Sequence, residues 1–207
     1  ARRDLTSHQT GRINQLRALL LGGDDADRAL ARGPLPKAKL AAIARRRGSH
    51  DDPVEQVIRR RECRRLALAI IASRAELAEN KTQLADLVEH AAPGLLGLRG
   101  VGPVSGAQVI VSWSHPGRCR NEAAFAALGG ACPRPASSGR TIRHRVNRGG
   151  DRALNRALHD IVITRWRVCP RTQDYIERRR AQGKTDREIR RCLNCYEGRE
   201  HHRELTH

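Results

Sequence analysis

The sequence predicts a mainly α fold: a long helical, coiled-coil arm over residues 1–92, a compact helical domain over 93–196 and a polar tail over 197–207. Two observations carry this expectation. Beyond Pro53 and up to about Glu89 there is neither glycine nor proline, so a single helix of about 55 Å is possible at 1.5 Å per residue. Elsewhere glycine and proline recur at short intervals beside helix-capping residues, and only Thr141–Val146 suits a short strand or hairpin.

Leu5, Ile13, Leu16, Leu19 and Leu20 fall at roughly helical spacing, and Gly22-Gly23 stops that helix. Asp24-Asp25 can cap a short turn. Pro36 can open a helix through Arg47, and Gly48-Ser49-His50 breaks it. Asp52-Pro53 is a strong start signal: an N-cap acid, then proline at the first helical position, where its missing N–H costs nothing. Within the arm that follows (about 53–89), Leu66, Ile70, Ser73, Leu77, Asn80, Leu84 and Leu87 alternate at four and three residues. Read as heptad core positions they form a seam with Asn80 inside it, and a buried asparagine can fix register or oligomer state at a cost in stability. Glu76 and Lys81 flank the seam where a parallel partner can pair them. Two partners are open to this seam: a second copy, giving a homodimer or higher oligomer, or residues 3–21 of the same chain.

Next comes Leu95-x-x-Leu98-x-Gly100-Val101-Gly102-Pro103-x-x-Gly106-x-x-Val109-Ile110. It resembles the helix-hairpin-helix element (residues 95–111) of DNA-repair and recombination proteins. The glycines permit a tight turn, and Pro103 starts a helix whose positive dipole end faces the same point, so a DNA phosphate can sit at Gly100, Val101 and Gly102 without sequence readout. The alternative is a plain helical turn whose glycines serve packing. Asn121 then caps a short helix to Leu128, and Gly129-Gly130 ends it. Asp151 caps a helix to about Arg167, Pro170 breaks it, and helices near 171–181 and 185–196 follow, separated by Gly183.

The net charge is +18, and of 40 basic residues only Lys37, Lys39, Lys81 and Lys184 are lysine. Such an excess normally neutralises phosphates, and arginine's planar fork grips a phosphate through two hydrogen bonds. With five aromatic residues in the chain, base-stacking platforms are disfavoured. No run approaches the roughly 18 apolar residues of a spanning helix, and the N-terminus lacks a signal peptide's apolar core, so a cytoplasmic protein with no membrane partner is expected. The six cysteines are expected to be reduced. Cys192-x-x-Cys195 followed by His201 and His202 can hold zinc, but a single CxxC is a weak signal, and no metal is assigned to the chain.

The densest chemistry lies in residues 128–156, LGGACPRPASSGRTIRHRVNRGGDRALNR. A Ser137-Ser138-Gly139 turn sits among seven arginines (134, 140, 143, 145, 148, 152 and 156) with one acid, Asp151. There is no GxSxG elbow and no His and Asp in a recognisable triad order, which disfavours a hydrolytic triad. A serine can instead attack a phosphodiester while guanidinium groups hold the non-bridging oxygens; Arg140, Arg143, Arg145 and Arg148 suit that role. The other reading is an arginine-rich hairpin that binds backbone, with the serines making the turn.

The blocks GVGPVSGAQVIVSWSHPGRCRNEAAFAALGGACPRPASSGRTIRHRVNRGGDRALNRALHDIV and PRTQDYIERRRAQGKTDREIRRCL carry a more specific resemblance. They are similar, over about 95–196, to the C-terminal half of insertion-sequence family 110/116/902 transposases, which resemble bridge-RNA-guided DNA recombinases. The resemblance implies an N-terminal RuvC-like domain with Asp and Glu ligands for Mg2+, a coiled-coil arm, and a transposase domain whose serine links covalently to DNA. By its match to the serine motif (132–151) the nucleophile is Ser138, with Ser137 as fallback. Gly100 and Gly102 match the family's helix-hairpin-helix. Asn147 and Arg148, with Gly149, Gly150 and Asp151, match the block after the serine, where backbone or RNA contacts are expected; Arg134, one of the seven arginines, is expected to bind nucleic acid by its charge. The implied partners are DNA and a guide RNA, in a bacterial, nucleoid-associated setting. No spaced Asp/Glu set on strands precedes the arm, and Asp24, Asp25 and Asp27 are poor candidates. The chain alone is therefore expected to hold no cofactor and to be inactive, either awaiting the metal domain or acting as a non-catalytic nucleic-acid-binding remnant or inhibitor.

Overall fold

The computed structural model describes residues 2–49, 51–132, 134–135, 144–145 and 149–206, with backbone alone for 134–135 and 144–145. It is mainly α, with nine α-helices among these residues, and divides into two compact units, Ala1–Asn80 and Lys81–His207. The division falls inside the longest helix rather than after it.

The first unit contains α1 (Arg2–Leu21), α2 (Asp25–Ala31), α3 (Lys37–Arg45) and the first part of α4 (Val54–Ala91). Gly22 and Gly23 end α1 as the sequence predicts, and the Asp24 carboxylate caps α2 by accepting the Asp27 N–H at 2.8 Å. Asp52 differs from expectation. Its carboxylate turns back to accept the Ser49 N–H at 2.7 Å and the Arg60 guanidinium at 2.5 Å, while the Pro53 carbonyl accepts the first helical bond, from Val57 N–H.

Leu16 and Leu20 of α1 meet Leu40 and Ile43 of α3 and Leu66 and Ile70 of α4 in one core. The first half of the predicted seam is thus used within the chain. Ser73 is buried and accepts from Arg12 at 2.6 Å, and one Arg2 Nη1 donates to both the Leu77 carbonyl and Asn80 Oδ1 at 2.9 Å. Residues 3–21 thus cover Leu66, Ile70 and Ser73, while Leu77 and Asn80 are met by Arg2 through the Leu77 carbonyl and the Asn80 side chain. Further along α4, Leu84 is half-buried and Leu87 is 64% exposed.

In the second unit a 3-10 turn (Leu95–Gly97) leads to α5 (Pro103–Trp113), α6 (Glu122–Leu128), strands β1 (Arg134–Pro135) and β2 (His144–Arg145), α7 (Arg152–Val168), α8 (Pro170–Ala181) and α9 (Asp186–Thr206). The segment before the Gly100 turn is therefore a 3-10 turn rather than an α-helix. Leu154, Leu158 and Ile161 recur at the spacing of one α7 face and pack with Val109 of α5 and Phe125 of α6. Val162, Ile176, Ile189 and Leu193 join α7, α8 and α9 in a smaller cluster.

The polar tail expected over 197–207 is instead the second half of α9. Glu197, Gly198, His201 and His202 are buried. They recur at helical spacing on the face that packs on α6 and α7. Gly198 is required there, because an added Cβ would lie 3.0 Å from Ala126 Cα and Cβ. The burying face is made of histidine and glutamate, so hydropathy conceals it.

Candidate nucleic-acid interface

The arginine-rich segment is closed at its base by contacts its flanking residues dictate. Gly150 passes so near the α6 end that an added Cβ would meet Gly130 N and the Leu128 carbonyl, each at 2.7 Å. The Asp151 N–H donates to that same carbonyl at 2.7 Å, and Asn155 donates to the Gly129 carbonyl at 2.6 Å. Inside this clamp, β1 and β2 pair antiparallel with Arg134 opposite Arg145 and Pro135 opposite His144. His144–Arg145 is the described part of the Thr141–Val146 segment expected to form a short strand or hairpin; the rest of that segment lies outside the described residues. Ser137, Ser138, Arg140, Arg143, Asn147 and Arg148 lie outside the described residues.

Asp151 anchors the clamp as the predicted cap of α7. Its carboxylate accepts the Ala153 and Leu154 N–H groups at 2.8 and 3.0 Å and the Ser112 hydroxyl of α5 at 2.7 Å. Burial alone would raise its pKa; the Ser112 hydroxyl, the two N–H groups and the charge of Arg118 bring it below the usual carboxylate value. The lone acid of the segment thus joins α5 to α7 and sets where the loop starts. Arg118, Arg152 and Arg156 are exposed around this base and have no acidic partner at ion-pair distance among the described residues.

The two glycines of the GVG turn do different work. Gly100 adopts φ +88°, and an added Cβ would lie 2.9 Å from Arg165 Cγ and 3.1 Å from the Ile161 carbonyl, so this glycine seats the turn on α7. Arg165 Nε also donates to the Arg99 carbonyl at 2.6 Å. Gly102 is open: nothing but Ser105 Oγ comes within 4 Å of an added Cβ. Its N–H donates to that hydroxyl at 2.9 Å, and Pro103 occupies the first helical turn of α5. Val101 is half-buried between the two. The packing alternative accounts for Gly100; at Gly102 an added Cβ would meet little, and the N–H is already taken by Ser105 Oγ.

A second cluster of arginines, mixed with the acids Glu122, Asp174, Glu197 and Glu200, is not expected from the sequence. Arg171 and Arg178 of α8 and Arg199 and Arg203 of α9 line a cavity of about 780 Å3 with Tyr175 and Tyr196. The two rings meet edge-on, 5.8 Å apart, and Arg178 lies over the Tyr175 ring. The spacing of these arginines on two helices is visible in the sequence, but only the packing of α8 on α9 puts them together. In the lining of the same cavity, Arg165 Nη1 is 2.9 Å from Glu197 and 2.6 Å from Glu200. Burial pushes the Glu197 carboxyl up to about 7 against the pull of Arg165, and depresses the His201 imidazole to about 4. His201 is therefore neutral at pH 7, and its approach to Glu197 is not an ion pair.

The zinc arrangement weighed for Cys192, Cys195, His201 and His202 is not assembled. Cys195 Sγ lies 3.3 Å from Cys132 Sγ, and among the described residues the grouping with metal-ligand spacing is Glu197, Glu200 and His201. No described helix is long and apolar enough to cross a membrane.

No curated protein matches the chain. Residues 93–177, which span the GVG turn, α5, α6, the clamped loop, α7 and most of α8, match the model of the transposase IS116/IS110/IS902 family. This portion of the chain is similar to the transposase domain of that family, a likeness that supports a transposase or recombinase role.

Proposed function

We propose that this domain holds DNA along the open side of the Gly102 turn and the arginine-rich loop, and that Ser138, with Ser137 as fallback, is the nucleophile of strand cleavage and transfer. The observation that supports the reading is the clamp at the loop base. Gly130 and Gly150 in backbone contact, with Asp151 bonded to α5 and α7, give a loop rich in arginine a fixed origin. A nucleophile on a mobile loop would forfeit most of the advantage of proximity.

In the proposed step the serine oxygen attacks phosphorus, a serine–phosphate bond forms and the bond to one sugar oxygen breaks. That oxygen leaves with a proton, and the serine proton passes to solvent or a base. Arg140, Arg143, Arg145 and Arg148 hold the non-bridging oxygens as charge grows. Arg134 and Arg145 are opposed in the β1–β2 register, at the base of this loop. Asn147 and Arg148 contact nucleic-acid backbone, including a guide RNA.

Mg2+ belongs with the RuvC-like domain in this reading. Asp24, Asp25 and Asp27 do not fit it: Asp24 caps α2 and meets Arg60, Asp25 pairs with Arg28, and Asp27 pairs with Arg46. Self-association through Leu84 and Leu87, the part of the seam left outside the first unit's core, completes the proposal. Mixing the chain with a RuvC-like domain, guide RNA and target DNA is expected to give a covalent protein–DNA adduct that Ser138→Ala abolishes. The competing reading is a non-catalytic nucleic-acid binder, favoured by the exposed Arg118, Arg152 and Arg156, which need no chemistry to hold phosphates. It requires salt-sensitive binding and no adduct under any condition.

A further inference from the structure

We propose that Glu197, Glu200 and His201 of α9 form a binding site for a divalent transition cation, independent of the DNA-binding loop. The three residues stand at i, i+3 and i+4 of one helix, and each offers a ligand atom within 4.8 Å of the others. Acidic clusters are common, and the cluster alone would mean little. What singles this one out is His201. Its side chain has no exposed surface, yet neither ring nitrogen has a hydrogen-bond partner. Glu197 is 3% exposed and its Oε2 is likewise unpartnered. Buried polar groups are retained without protein partners where a water or an ion meets them.

The two orphaned atoms face each other. His201 Nε2 is 3.8 Å from Glu197 Oε2, too long for a hydrogen bond. Two ligands each about 2.1 Å from one tetrahedral cation are about 3.4 Å apart, so a small adjustment suffices. Arg165 does not fill the place. Its Nη1 bonds Glu197 through Oε1 and Glu200 through Oε2, leaving the second oxygen of each carboxylate. The same guanidinium fixes both carboxylates from the second layer. Access is available because Glu197 and Glu200 both line the cavity of about 780 Å3 between α8 and α9. One imidazole with two carboxylates suits zinc(II) or manganese(II).

The test is calorimetric titration of zinc(II) into the reduced full chain. One site per chain is expected, with affinity at least tenfold weaker in Glu200→Gln and in His201→Gln, and unchanged in Cys192→Ser/Cys195→Ser. Should His201→Gln fail to fold, Glu200→Gln decides, since that side chain is about one-third exposed and the swap keeps its volume. Absence of binding by the native chain overturns the site. So does unchanged affinity in Glu200→Gln, or loss confined to the cysteine variant. None of these outcomes bears on whether the loop serine reacts with DNA.

Discussion

Gly150→Ala gives the sharpest test of how the loop is held. The new methyl would stand 2.7 Å from Gly130 N and from the Leu128 carbonyl and 2.9 Å from Gly130 Cα, all backbone atoms. Ordinary contact is near 3.5 Å, so the two ends of the loop must part by several tenths of an ångström. Overpacking of this kind costs about 1–3 kcal/mol. Parting the ends also stretches the Asp151 N–H bond to the Leu128 carbonyl, 2.7 Å long, which is worth about 1 kcal/mol. The expected loss is about 2–4 kcal/mol, read as a lowered urea midpoint at unchanged slope for the unit spanning Lys81–His207. DNA binding should weaken beyond what the unfolded fraction explains. A variant within about 0.5 kcal/mol of the native chain, binding DNA normally, would refute the clamp.

Other outcomes follow from the same geometry. Gly100→Ala should destabilise by about 2–3 kcal/mol because its backbone is left-handed and its Cβ meets α7, whereas Gly102→Ala should cost less than about 1 kcal/mol; urea unfolding of the pair checks this. Leu66→Ala should cost about 2–5 kcal/mol through the first unit's own core, while Leu87→Ala should leave stability unchanged and, in sedimentation, reduce self-association. Asp151 has a folded pKa below its ordinary value, so its contribution is present above pH 4 and is lost as pH falls through the folded value. Asp151→Asn should flatten that acid limb of stability against pH. Arg145→Ala should reduce the slope of log K against log salt for duplex DNA by about 0.9 if it neutralises one phosphate.

Caps were the part of the fold most legible in sequence. Asn121 and Asp151 stand where helix N–H groups need an acceptor, and both side chains accept them. The second half of α9 was hidden because its burying face is made of Glu197, His201 and His202, which read as a polar tail. The Leu66–Leu87 period identified a face of α4 correctly in its first half but could not name the partner; periodicity fixes which residues share a side, not what covers it. The GVG turn shows the same limit, since only the approach of Ile161 and Arg165 separates Gly100 from Gly102. The arginine loop was legible from composition alone. The arginines of α8 and α9 were not, because their convergence is tertiary.

The central claim is that a serine of the clamped loop joins to DNA. Its most direct test is mass-spectrometric mapping of the nucleotide-modified peptide after reaction with a RuvC-like domain, guide RNA and target DNA. A nucleotide joined through its phosphate to the Ser138 oxygen is expected, absent from Ser138→Ala and not restored at Ser137. A modified peptide outside residues 132–151, or an adduct that survives removal of both serines, would contradict it.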